Sequence, residues 1–313
     1  MKLFKGLRPF CLTLALAATG AAQTAAPPPP SAADQQYRFS TSVQIVVLQT
    51  TVLNRKGGLV AGLHQNEFKV FEGSREQKLG LFRHDDSPVA IGLVVDNSGS
   101  MRRKHSAVVA AAKAFARNSN PRDELFVVSF NEQVKLGLGK QLFSANQREL
   151  ERALPATEGG GKTALYDALE AGLAHLHELR QDKKALILIS DGGDNASSHT
   201  MDQVLADAAN SGVVIYTIGL FGKYEDETNP AFMKRIAFVS GGEAFLPARP
   251  GQAASNCKRI AQIIRNEYTL GYSPNSTEPG SAFRMVQVKV TSRKKGVLLA
   301  RTRAGYTPDQ MLR

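Results

Sequence analysis

The chain has 313 residues, enough for about two domains and a sizeable core. Its 42% apolar and 21% charged residues exclude wholesale disorder, and its 27 Gly and 14 Pro follow no period, which excludes collagen-like and solenoid repeats. The formal charge of +11, from 39 Lys+Arg against 28 Asp+Glu, is concentrated locally. Three positive charges fall at Lys2, Lys5 and Arg8, and seven more lie between Arg284 and Arg303, a stretch without any acid. No recognition helix or group of reading aromatics accompanies that stretch, so nucleic acid is not an expected partner. A solvated β-face or contact with anionic envelope material accounts for the charge better.

The N-terminus runs MKLFKGLRPF, then CLTLALAATG, then AAQ. A basic start, a short apolar core and small residues before a cut describe a secretory signal peptide over 1–22, with cleavage after Ala22. The apolar core is about half the length that spans a bilayer, and no run elsewhere reaches the roughly 20 residues required, so an integral membrane protein is not expected. Cys11 sits at the start of that core and not after it, against a lipid anchor. Cleavage would leave Cys257 alone, unable to form an internal disulfide and expected to be buried in a helix. Residues 23–40 include four consecutive prolines and read as a disordered spacer.

From Val43 the apolar residues alternate with period two to Leu53, and the turn Arg55-Lys56-Gly57-Gly58 closes that strand. Strands over 68–72 and 77–82 follow, and together they define a first β segment, 41–86. Between 87 and 266 the rhythm changes. Near-continuous apolar strands at 89–95, 124–130, 185–190 and 213–219 alternate with helices at 104–118, 146–154, 164–180, 200–211, 229–239 and 251–266. A possible hairpin strand lies at 134–138 and a short one at 243–246. This alternation predicts a doubly wound, mostly parallel α/β sheet covered on both faces. The β texture returns over 267–307, with strands at 283–290 and 297–302, before a tail at 308–313. Neither terminal segment alone supplies enough strands for a core. The two are expected to combine into one small β-sandwich into which the α/β domain is inserted.

Open parallel sheets bind ligands at the carboxyl ends of their strands. Three such loops are polar: Asp96-Asn97-Ser98-Gly99-Ser100, Gly159-Gly160-Gly161-Lys162-Thr163, and Asp191-Gly192-Gly193-Asp194. On one edge they would unite two carboxylates and three hydroxyls, an oxygen set suited to a hard divalent cation. Helix capping by Asp96 or Ser98 explains one loop and leaves the other two unexplained. The first loop is expected to face solvent.

The Asp-x-Ser-x-Ser motif at Asp96, Ser98 and Ser100, with Thr163 and with Asp191 in its Ser-Asp-Gly context, resembles the metal-ion-dependent adhesion site of von Willebrand factor type A domains. The resemblance covers about 180 residues. It implies a Rossmann-like fold in which Ser98, Ser100 and Thr163 touch Mg²⁺ (or Mn²⁺ or Ca²⁺) directly while Asp96 and Asp191 act through water. It also implies an open coordination position for an Asp or Glu of a protein partner. Phe68-Lys69-Val70-Phe71-Glu72-Gly73 and Tyr268-Thr269-Leu270-Gly271-Tyr272 are similar to the flanks of this domain in a group of bacterial secreted proteins.

Other chemistries fit less well. Gly161-Lys162-Thr163 lacks the earlier Gly of a phosphate-binding loop, with Ala156 in its place, and follows a helix instead of a strand. Ser98 lacks the flanking glycines of a hydrolase nucleophile. His175 and His177 are two residues apart and face different ways on a helix, unlike paired zinc ligands. Asp194 is a candidate to support the site from behind, and Glu225-Asp226-Glu227 could rim it. The expected function is an exported, non-enzymatic protein-binding module located in the periplasm, at the cell surface or outside the cell. A structural envelope component whose metal only stiffens loops is the alternative, and a metal-assisted hydrolase a more distant one. The sequence does not give the oligomeric state.

Overall fold

A computed structural model describes residues 45–138, 147–155, 159–179, 181–222, 227–274 and 282–308. The expected signal peptide and spacer, and residues 309–313 of the tail, lie outside the described residues, as do Glu225 and Asp226.

Four antiparallel strands come first: β1 (Val46–Asn54), β2 (Phe68–Glu72), β3 (Arg75–Gln77) and β4 (Leu79–Arg83). The central segment then supplies β5 (Ala90–Asp96), α1 (His105–Asn118), β6 (Glu124–Phe130), β7 (Val134–Leu136), α2 (Gln147–Ala153), α3 (Leu165–His177) and β8 (Lys184–Ser190). It continues through α4 (Met201–Asn210), β9 (Val214–Gly219), α5 (Pro230–Ser240), β10 (Ala244–Phe245) and α6 (Ala253–Arg265). The chain closes with β11 (Tyr268–Tyr272), β12 (Arg284–Ser292), β13 (Gly296–Arg301) and β14 (Gly305–Tyr306).

The central sheet has the order β10-β9-β8-β5-β6-β7, parallel except for the β6–β7 hairpin. All seven residues of β5 are buried, as a strand covered on both faces requires. Ile91, Leu93 and Val95 point into a core shared with α1 and α6, whereas Ala90 and Val94 point into one shared with α3, α4 and α5. Gly92 leaves room between Phe126 and Leu186, where a Cβ would lie within 2.5 Å of both side chains. Cys257 is buried in the first of these cores, as its helical position suggests.

The flanking strands of both chain ends form one hydrogen-bonded path, β3-β2-β12-β13-β1-β11-β4, with β14 on β12. β1 pairs with β11 through Val46–Thr50 and with β13 through Thr51–Asn54. The two ends of the path, β3 and β4, are separated by Lys78 alone, so the sheet must curl back on itself. Its interior holds Leu48, Val70, Tyr268, Leu270, Tyr272 and Tyr306. No helix among the described residues is long and apolar enough to cross a membrane.

The two sheets meet at the amino ends of the central strands. Arg83 pairs with Asp182 at 2.7 Å, Arg265 with Asp86 at 2.8 Å, and Lys183 donates to the Asp85 carbonyl at 3.0 Å. β5 spans seven residues, so its carboxyl end lies about 20 Å from this junction. Glu267, between α6 and β11, is 4% exposed and accepts from the Tyr216 hydroxyl at 2.5 Å. Burial pushes its carboxyl up to about 7, against the opposing pull of the Tyr216 hydrogen bond and of Lys183 and Arg301. A carboxyl raised in the folded state contributes most at low pH and loses that contribution as pH rises from about 4.5 to 7. Glu267→Gln keeps an acceptor for Tyr216 and removes the charge. The variant is expected to be more stable than the parent at pH 8 by on the order of 2 kcal/mol, with the difference shrinking at pH 5. Urea unfolding at the two pH values checks this; an equal difference at both would contradict it.

Candidate metal site

Asp96 ends β5 and Ser190 ends the adjacent β8, so the sheet itself carries these side chains to one edge. Both oxygens of Asp96 are engaged. Oδ1 accepts the Ser98 N–H at 2.9 Å and Oδ2 accepts the Ser190 hydroxyl at 2.6 Å. The first contact folds the loop back and turns the Ser98 side chain toward that of Ser100, with the two hydroxyl oxygens 3.2 Å apart. Ser100 donates to Asp191 Oδ2 at 2.6 Å, and the other oxygen of Asp191 accepts the Gly193 N–H at 3.2 Å. Asp96, Ser98, Ser100 and Asp191 therefore form one connected cluster.

Thr163 reaches the same edge through the backbone. The Gly161 carbonyl accepts the Gly99 N–H at 3.2 Å, and the Gly160 N–H donates to the Asn97 carbonyl at 3.1 Å. Gly159 makes the approach possible: a Cβ there would lie 2.0 Å from the Asn97 carbonyl oxygen. Gly161 has φ +83°, which an L side chain rarely adopts. Asn195 fixes Thr163 from the opposite side, its Oδ1 accepting the Thr163 N–H at 2.8 Å while its own N–H donates to the Thr163 carbonyl at 3.0 Å.

One expectation needs correction. The first loop does not face solvent at its acid: Asp96 is 2% exposed, Ser98 1%, Asp191 3% and Thr163 7%, and only Ser100 and Gly99 are exposed. The strand runs one residue further than the apolar pattern suggests and buries Asp96 at its end. Asp194 has a local role: its Oδ2 accepts the Tyr166 N–H at 3.1 Å at the start of α3, together with the Ser197 hydroxyl. Glu227 accepts from Asn195 Nδ2 at 2.6 Å. Lys162 is exposed, His177 is exposed, and His175 is buried edge-on to Phe126.

Sequence reasoning missed Ser190, Asn195 and Lys104. Ser190 was visible as the residue before Asp191, but its contact with Asp96 depends on the β5–β8 register. Lys104 is 5% exposed, donates to the Leu220 carbonyl at 2.8 Å and stands 3.6 Å from Asp191 Oδ2. A lysine after the motif carries no signal of burial by itself.

The donor set meets the demands of a small, hard divalent cation. Octahedral coordination at about 2.1 Å places neighbouring ligand oxygens about 3 Å apart, close to the Ser98–Ser100 separation. Burial, with Asp191 adding to it, pushes the Asp96 carboxyl up to about 6 although hydrogen bonds from Ser190 and Ser98 oppose the shift. Two nearly buried acids on one edge are a surplus of negative charge that a cation would relieve. No group of three or more His, Cys, Asp or Glu that could hold a metal occurs among the described residues.

Residues 91–193 match the family model described as von Willebrand factor type A domain. Within these residues the chain is similar to a von Willebrand factor type A domain. The von Willebrand factor type A structure from Catenulispora acidiphila is similar over 88% of this chain and 78% of that one, at 14% identity and a TM-score of 0.52. Proximal thread matrix protein 1 from the mussel byssus, described with a zinc-occupied MIDAS motif, is similar over 62% of this chain and 49% of that one, at 16% identity and a TM-score of 0.50. At these identities the likeness concerns the fold. No curated protein matches the chain in sequence.

At pH 5, below the raised value for Asp96, deleting its carboxyl relieves little buried charge, so mainly the lost hydrogen bonds count. Asp96→Ala leaves the Ser98 N–H and the Ser190 hydroxyl without this acceptor. It is expected to destabilise the chelator-treated protein by about 1–3 kcal/mol, and Asp96→Asn, which keeps one acceptor, by less. Thermal unfolding in EDTA checks the ranking; an Ala variant as stable as the parent would contradict it.

Proposed function

We propose that the domain is an exported protein-binding module that holds Mg²⁺, with Mn²⁺ or Ca²⁺ as substitutes, and docks an Asp or Glu of a protein partner onto it. Ser98, Ser100 and Thr163 hold the ion directly, and Asp96 and Asp191 hold it through water. The supporting observation is that both acids are already held in place by hydrogen bonds while the Ser98 and Ser100 hydroxyl oxygens stand 3.2 Å apart, about the spacing of neighbouring ligands on a small octahedral ion. An ion bound mainly by neutral oxygens keeps enough positive charge to attract an external carboxylate. When bound, it supplies electrostatic attraction and an open ligand position. The chain's own residues set the position and direction of that attraction.

Placement supports the same reading. The candidate site occupies the end of the central sheet remote from the flanking strands, which we read as a small β-sandwich and carrier. The signal peptide over 1–22 and the spacer over 23–40 would deliver the module to the periplasm, the cell surface or the medium. Among the described residues, the Ser98 and Ser100 hydroxyls contact one another and Asp191 and no histidine, which favours binding over hydrolysis.

An array of Asp- and Glu-bearing peptides, probed in Mg²⁺ and again in EDTA, tests the proposal. Binding is expected in Mg²⁺ and is expected to fall at least tenfold, about 1.4 kcal/mol, in EDTA or in Ser100→Ala and Thr163→Ala. Binding unchanged by EDTA, with a lower melting temperature, would favour the structural alternative in which the ion only stiffens the loops.

A further inference from the structure

Lys104 ends the 3₁₀ turn Gly99–Lys104, directly after the motif loop, and its side chain is 6% exposed. Lysines are rarely buried to this degree unless their ammonium has fixed partners. Here two loops provide them. The Leu220 carbonyl, just beyond β9, accepts at 2.8 Å, and Asp191 Oδ2, just beyond β8, lies 3.6 Å away. The same Asp191 oxygen accepts from Ser100 at 2.6 Å. One carboxylate oxygen is thus shared between a motif hydroxyl and a buried ammonium.

Counting these three groups alone in their ionised forms, Asp96 and Asp191 bring two negative charges and Lys104 one positive charge, a net charge of −1. A divalent cation would turn that into one surplus positive charge. Without Lys104 the same ion would bring the cluster to neutrality. Where exposure is this low, solvent screens such differences weakly.

We propose that Lys104 is a resident counter-cation of this site: it weakens binding of the divalent ion alone and leaves the loaded site positively charged, so that ion and partner carboxylate bind cooperatively. The inference rests on the metal reading above and adds to it a reason for the ion to be held firmly only when an acidic group is present. Linkage makes the effect reciprocal, since an acid that tightens the ion is itself tightened by it to the same degree. Lys104 acts through Asp191 and the local field, and is a positioning and charge-setting residue.

Calorimetric titration with Mg²⁺ at pH 8, with and without acetate as a carboxylate probe, tests this on the full chain. Lys104→Gln removes the charge and keeps a donor for the Leu220 carbonyl, whereas Lys104→Met removes both. Both variants are expected to bind Mg²⁺ alone at least tenfold more tightly than the parent, and acetate is expected to tighten Mg²⁺ more in the parent than in either variant. Circular dichroism melting identifies a poorly folded Met variant, in which case Lys104→Gln decides. A parent that binds Mg²⁺ and a folded Lys104→Gln that binds it no more tightly would overturn the proposal, as would equal enhancement by acetate in both. If neither parent nor variants bind Mg²⁺, the metal reading falls and this inference falls with it.

Discussion

Two carboxylates buried beside one another repel, and burial raises the free energy of each charged form. A protein that ends adjacent β-strands in such a pair must supply donors, a cation, or both. Asp96 and Asp191 stand in this relation at the ends of β5 and β8, and much of the surrounding edge can be understood as a response to them. Ser190 and the Ser98 N–H hold one acid, while Ser100, the Gly193 N–H and Lys104 hold the other. These contacts fix the carboxylates, and the Ser98 and Ser100 hydroxyl oxygens stand 3.2 Å apart beside them.

The rest of the fold gives this edge its rigidity. β5 is buried along its whole length between two apolar cores, so the position of Asp96 is set by packing as well as by its own hydrogen bonds. Three loops from distant parts of the sequence are tied together by backbone contacts at Gly99, Gly160 and Asn195. The flanking sheet is anchored at the opposite strand ends by Arg83, Lys183 and Arg265.

Much of the architecture was legible in the sequence because its signals are local. Buried parallel strands read as apolar runs, amphipathic helices as a 3.6-residue period, and the motif acids and hydroxyls as polar breaks at strand ends. Element limits moved by a few residues, since caps and turns are decided by contacts that periodicity does not encode. The interior position of Asp96 was not legible, because an acid at the end of an apolar run reads as the start of a loop. Lys104 and Asn195 were missed for a related reason: their roles depend on partners 87 and 32 residues away, which only the assembled sheet brings near. The division of β1 between β11 and β13, and the return of the strand path at Lys78, are likewise properties of long-range pairing.

The central claim is that oxygens from three separate loops converge on one cation. Anomalous diffraction from crystals grown with Mn²⁺ tests it most directly. The account predicts a manganese peak bonded to the hydroxyl oxygens of Ser98, Ser100 and Thr163. Manganese bound only elsewhere on the molecule, or a loop cluster that stays empty at saturating Mn²⁺, would contradict it.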